Sequence, residues 1–174
     1  MEKLQPRPLN FPFSGSAAVL MPVIIDQGRP LLLLTNRSHR VGTHKGQISF
    51  PGGMQDTDES PATTALRETE EELGIPRERI ELAGRFHDYV AVTGWKVMTF
   101  VGFLAGNTLL QPNPDEVAEV IRAPLDFFAR TRPRVVNRFR LGRKVPIYFY
   151  DFGNEVVWGL TAAIIHDFVE TLDL

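Results

Sequence analysis

Along this chain, apolar and polar positions follow a strand period in some stretches and a helix period in others. Residues 16–25, SAAVLMPVII, form an apolar run of a length that suits a buried strand, and Pro22 predicts an irregularity within it. Asp26-Gln27-Gly28 reads as a turn. Residues 30–36 give a second strand, so the pair predicts a hairpin. A short strand at 47–50 leads into Pro51-Gly52-Gly53, and residues 61–73 switch to the helical period. Two longer strands are predicted at 79–92 and 96–105, joined at Thr93-Gly94. Residues 116–122 carry Val117, Val120 and Ile121 and suit either a short helix or a strand, with Ala123-Pro124 opening a helix. Strands at 145–150 and 155–158 flank a turn, and Ala163, Ile164, Phe168 and Leu172 place an amphipathic helix at 160–172. Strands alternating with helices predict an α/β sandwich. Residues 1–14, with prolines at 6, 8 and 12 and no period, predict an arm over the surface, and no break in composition divides 1–174 into more than one domain.

The helix at 61–73 has defined ends. Ser60 suits the N-cap and Pro61 the first helical position, while Gly74 suits the left-handed C′ site ahead of Pro76. At 100° per residue, Ala62, Ala65, Leu66, Thr69 and Leu73 share a stripe that predicts the face turned to a core. Glu68 and Glu72 stack on one side of that stripe, Glu71 lies just further round, and Glu70 falls on the opposite flank. Neighbouring Cβ atoms at such spacings are about 5–6 Å apart, and like charges there cost a few tenths of a kcal/mol per pair. The run ETEEE therefore reads either as a solvated helix face or as a cluster for a hard divalent cation, because Mg²⁺ and Mn²⁺ prefer carboxylate oxygen.

The surrounding spacing adds weight to the second reading. Gly53, Glu59, Arg67, Glu68, Glu71, Glu72 and Gly74 stand in the pattern G-x5-E-x7-R-E-U-x-E-E-x-G-U. Seven fixed positions at average residue usage match by chance on the order of 10⁻⁸ per starting point. In this stretch the chain resembles the Nudix hydrolase family. Thr69 stands where the pattern carries a bulky aliphatic residue, a change that concerns packing more than chemistry. The resemblance implies a mixed β-sheet between helices and hydrolysis of a diphosphate linkage in a nucleoside diphosphate-X. It implies Mg²⁺ or Mn²⁺ on Glu68 and Glu72, with Glu71 completing or bridging. It also implies a backbone carbonyl brought close by Gly52 or Gly53, and Arg67 orienting an acid. Glu59 reads as a loop anchor or outer ligand. The general base stays open among Glu71, Glu68 and a downstream carboxylate such as Glu116, and Asp115, Glu116 and Glu119, which follow a turn, are candidates to present a further carboxylate to the metal site. A non-catalytic nucleotide sensor of this fold would typically lose signature acids, and all are present here.

Upstream, Arg37, His39, Arg40, His44 and Lys45 crowd into one loop, which reads as a solvated basic loop or as a site for an anion. This stretch resembles the coenzyme A pyrophosphatase branch, with the pattern LLTxR(S/A)-x3-R-x3-G-x3-FPGG. Leu33, Leu34, Thr35, Arg37 and Ser38 match its first part, and Gly46, Phe50, Pro51, Gly52 and Gly53 its second. The middle Arg falls on Gly42, with Arg40 two residues away. The branch implies cleavage of coenzyme A or a derivative to adenosine 3′,5′-bisphosphate and 4′-phosphopantetheine. Arg37, Arg40, His44 and Lys45 would then hold the phosphates. Another Nudix substrate, such as ADP-ribose, NADH or a dinucleoside polyphosphate, is the alternative. Phe86, Tyr89 and Trp95 are either stacking surfaces for an adenine or sheet packing, and His87 reads as structural. The arginines between 130 and 144 read as an exposed strand face or a phosphate contact.

The composition adds exclusions. An apolar content of 43% and a charged content of 23% are those of a soluble globular protein, and the net charge of −2 points to neither nucleic acid nor membrane. The absence of cysteine removes thiolate chemistry and disulfides. Neither a signal-peptide core nor an apolar run of about 20 residues is found, which predicts a cytoplasmic location and a small-molecule partner.

Overall fold

A computed structural model describes residues 6–10, 12–38, 46–140 and 143–172. Its strands are β1 (Ser16–Asp26), β2 (Arg29–Arg37), β3 (Ile48–Ser49), β4 (Gly52–Met54), β5 (Glu81–Val90), β6 (Lys96–Ala105), β7 (Val117–Pro124), β8 (Arg134–Arg140), β9 (Arg143–Phe152) and β10 (Glu155–Trp158). Its helices are α1 (Pro61–Leu73), α2 (Leu125–Arg130) and α3 (Gly159–Thr171), with a 3-10 turn at Arg77–Arg79. The stretch at 116–122 resolves as strand, and Pro124 ends it before α2 begins.

Strand β1 is the spine of a mixed seven-stranded sheet. One edge pairs parallel with β6 along Ser16–Ile25. The other edge is shared by two strands: β4 pairs with Ala17–Val19, and β2 pairs with Val23–Asp26. The change of partner falls around Pro22, which has no N–H to donate, so the irregularity expected there is a fork in the sheet. The β1–β2 hairpin turns through Gln27 and Gly28, both at positive φ, as a two-residue hairpin loop that follows strand twist requires. Strand β2 pairs with β7 from Leu31 to Arg37 and, past the point where it leaves β1, with β3 at Thr35 and Asn36. Gly52–Met54 thus enters the gap between β1 and the far end of β2.

The faces of β1 alternate. Ala18, Leu20 and Ile24 pack with Ala65 and Leu73 of α1, while Met21 and Val23 pack with Ile164, Ile165 and Phe168 of α3. The result is the expected sandwich, with a sheet between α1 and the pair α2/α3. Strands β8, β9 and β10 form a separate antiparallel sheet whose Tyr150 and Val157 join the α3 side of the core. Residues 7 and 9 bond to β5: the Arg7 carbonyl accepts from the Asp88 N–H, and the Asp88 carboxylate accepts from the Leu9 N–H. Among the described residues, no helix is long and apolar enough to cross a membrane.

Candidate active site

Helix α1 starts and stops where local chemistry requires. The Ser60 hydroxyl accepts from the Thr63 N–H at 3.1 Å, and Gly74, at φ 65°, donates to the Glu70 carbonyl. Its buried side chains are Thr64, Ala65, Thr69, Glu72 and Leu73, with Ala62 and Leu66 only half-buried. The core-facing stripe is therefore rotated from the predicted one, toward Glu72. The rotation follows from what packs above the helix: β4 and the loop after β6 cover that side. The Thr69 hydroxyl donates to the Ala65 carbonyl at 2.7 Å, which satisfies it inside the core.

Arg67 gathers the acids. Its guanidinium donates to both Glu59 oxygens at 2.9 and 3.2 Å, to Glu68 at 2.9 Å and to Glu71 at 3.0 Å. Glu59 also accepts from the Thr64 hydroxyl, and the Arg67 hydrogen bond holds its carboxyl below the usual carboxylate range. Glu59 is thus an anchor that joins the loop before α1 to the helix. Glu71 is half exposed and accepts from Arg67. Glu70 lies on the far flank and pairs with Arg77 at 3.0 Å.

Glu68 and Glu72 have a different environment. Glu72 is only 3% exposed, and desolvation, opposed by Arg37 and reinforced by Glu68 and Glu116, pushes its carboxyl up to about 8. Desolvation also raises Glu68, with Glu71 and Glu116 adding to the rise. The Gly52 N–H faces the Glu72 carboxylate and offsets a small part of that rise. Gly53 lies directly against Glu68: a Cβ there would sit 2.4 Å from its carboxyl carbon. The predicted need for glycine is therefore spatial, at a point where β4 backbone and helix side chain touch.

Glu116 arrives from outside the motif. The Gln111 and Asn113 N–H groups cap the Leu73 and Glu72 carbonyls at 2.8 and 2.9 Å. Asn113 then donates its side-chain amide to Glu116 at 3.1 Å. The loop that closes the end of α1 so carries a third carboxylate toward Glu68 and Glu72. Asp115 and Glu119 of the same turn are exposed.

Of the basic residues, Arg37 ends β2 beside Glu72, and its Nε is buried with no acceptor among the described residues. Backbone bonds between Arg37, Gly46 and Gln47 fix the base of its loop. Arg40, His44 and Lys45 lie outside the described residues. Phe86 is 1% exposed and meets Phe168 edge-on at 5.5 Å, so it belongs to the core and not to an adenine site. Tyr89 donates its hydroxyl to Asp167, and the Trp95 ring covers Gly15. His87 is buried against Phe86 and serves the fold.

Glu68 and Glu72, both desolvated, and Glu116, whose charge acts on each, form an oxygen donor set that suits a hard divalent cation. Among the described residues, no group of three such side chains stands at ligand spacing, and Arg67 holds Glu68 and Glu71. Residues 15–139 match the NUDIX domain family. The chain is 45% identical over 152 residues to a Pectobacterium atrosepticum protein named Uncharacterized Nudix hydrolase NudL, covering 86% of this chain and 79% of that one. The solved Nudix hydrolase RenU of M. smegmatis is 25% identical, with a TM-score of 0.56 over 67% of this chain and 74% of its own. A MutT/nudix family protein from Enterococcus faecalis shares the fold alone, with a TM-score of 0.61 at 16% identity over 96% of this chain and 65% of its own. The chain belongs to the Nudix hydrolase family and is an enzyme of its pyrophosphatase type. Enzymes of this family act on small nucleotide-like molecules and generally use divalent metal ions.

Proposed function

We propose that this enzyme hydrolyses the diphosphate of coenzyme A and its derivatives, releasing adenosine 3′,5′-bisphosphate and 4′-phosphopantetheine. The observation behind this reading is Arg37. Most of the described residues that match the branch pattern are committed to packing or turns. Leu33, Leu34 and Phe50 are core, and the Thr35 hydroxyl bonds the Ser49 carbonyl. Arg37 instead reaches the acidic site with a buried donor that has no acceptor among the described residues, which suits a substrate phosphate oxygen. Arg40, His44 and Lys45 would add charge to the same anion. Assay of the pure protein with Mg²⁺ or Mn²⁺ against coenzyme A, ADP-ribose, NADH and diadenosine polyphosphates tests the reading. Coenzyme A consumed in preference supports it, and coenzyme A left intact while another substrate is cleaved refutes it.

Glu68, Glu72 and Glu116 would hold Mg²⁺ or Mn²⁺, with Glu71 a further ligand or base once Arg67 releases it. The ion would supply Lewis acidity toward phosphoryl oxygen and an acidified water. The residues of the chain do the positioning. Arg67 sets the direction of Glu68, the Gly52 N–H faces Glu72, and Asn113 holds Glu116. Phosphoryl transfer draws mostly on such positioning and on charge stabilisation. Glu116→Gln is expected to reduce kcat about 10²-fold or more, as loss of a ligand or base does. A metal titration of the same variant separates the roles, since only a ligand's loss weakens the response to Mn²⁺. Unchanged kcat and metal response would remove Glu116 from the site.

A further inference from the structure

The small sheet has one face in the core and one in solvent. Tyr148, Tyr150 and Phe152 alternate inward along β9. Val145, Phe149 and Asp151 alternate outward, beside Arg134 and Arg138 of β8 and Trp158 of β10. This outer face is largely apolar. Trp158, Val145 and Val156 on it are 44%, 41% and 40% exposed. Three of the twelve exposed large apolar residues among the described ones thus lie on this one face. The face is also ordered. Phe149 stacks on Trp158 at 6.1 Å and 9°, and the Arg134 guanidinium lies 4.2 Å from the Phe149 ring centre. Side chains already held in this way lose little freedom on burial.

Charge favours one occupant. Arg138 stands at one end of the outer face and Asp151 at the other, in register with Val145 and Val156 respectively. Neither is in an ion pair among the described residues. We propose that the outer face of the β8–β9–β10 sheet binds a second copy of this chain, face to face, about a two-fold axis lying across the strands. That axis runs the facing strands antiparallel and brings Arg138 of each copy to Asp151 of the other. An isologous contact needs such self-complementarity. Joining the copies along the β8 edge is disfavoured, because pairing centred on Val136 opposes Arg134 to Arg138 of the second copy.

Three strands about 4.8 Å apart and seven residues about 3.4 Å apart give a face of roughly 350 Å². Stable interfaces use about 800 Å² per partner, so the dimer dissociates on dilution. Sedimentation velocity over a concentration series tests this, with turnover as the check that each variant is folded. The unaltered chain should pass from monomer to dimer. Arg138→Asp and Asp151→Arg should each weaken association about tenfold or more, since like charges then face each other. The double reversal should restore it. A monomer at every concentration overturns the proposal, as does a dimer indifferent to both reversals or one that the double reversal fails to restore.

Discussion

Glu72→Gln is expected to abolish diphosphate hydrolysis while making the metal-free protein more stable at pH 8. Glu72 is 3% exposed, and burial lifts its carboxyl from 4.5 to about 8. A carboxyl raised in the folded state is favoured there as the neutral acid. The stability this contributes is full below the unfolded value near 4.5 and is lost as pH rises through about 8. At 1.36 kcal/mol per unit, the loss is on the order of a few kcal/mol, or about 10 °C in Tm for a chain of this size. Glutamine keeps the shape but cannot ionise. Scanning calorimetry in EDTA should show Tm of the parent protein falling from pH 5 to pH 8.5, and a flatter profile for the variant. Added Mn²⁺ should raise Tm of the parent protein most at the alkaline end, where the ligand is ionised, and barely move the variant. Parallel pH profiles, or turnover by the variant near the parent rate, would refute the placement of Glu72 in the metal site.

Gly53→Ala and Gly52→Ala should fail in opposite ways. A Cβ at Gly53 meets the carboxyl end of Glu68 at 2.4 Å, and the end of a flexible side chain can swing aside. Stability should change by less than about 1 kcal/mol. The displaced Glu68 should lower kcat about 10²-fold, the scale of an ångström's misplacement. A Cβ at Gly52 meets the Ala18 carbonyl oxygen at 2.4 Å and the Val19 Cα at 2.6 Å. Those are backbone atoms of the central strand, which cannot yield without disturbing the sheet. That variant should lose about 2–4 kcal/mol or fail to accumulate. Thermal melts beside steady-state kinetics separate the two. A fully active Gly53→Ala enzyme would mean that Glu68 does not work from this position.

Much of α1 was readable beforehand because its information is local. Ser60, Pro61 and Gly74 set the ends through bonds within a few residues, and the spacing of Glu68, Glu71 and Glu72 puts them on one flank whatever lies above. The hairpin turn and the weakness at Pro22 were equally local. What was not readable depends on contacts far apart in sequence. A helical period orders side chains around an axis but leaves open which angle faces the sheet. Packing by β4 and by residues 111–113 made that choice, burying Thr64 and Glu72 in place of Ala62 and Leu66. The same packing turned three similar glutamates into unlike groups: Glu59 anchored, Glu71 half in solvent, Glu72 desolvated. Phe86 offered no local sign that α3 would cover it, and the turn after residue 113 offered Asp115, Glu116 and Glu119 alike, with nothing local to say that the helix-capping loop would carry Glu116 toward Glu68. The spacing of the chain thus specified which acids stand together. Their burial, and with it their proton affinity, came from the strand fork and the loop closing over them, because desolvation depends on all neighbours at once and not on those along the chain.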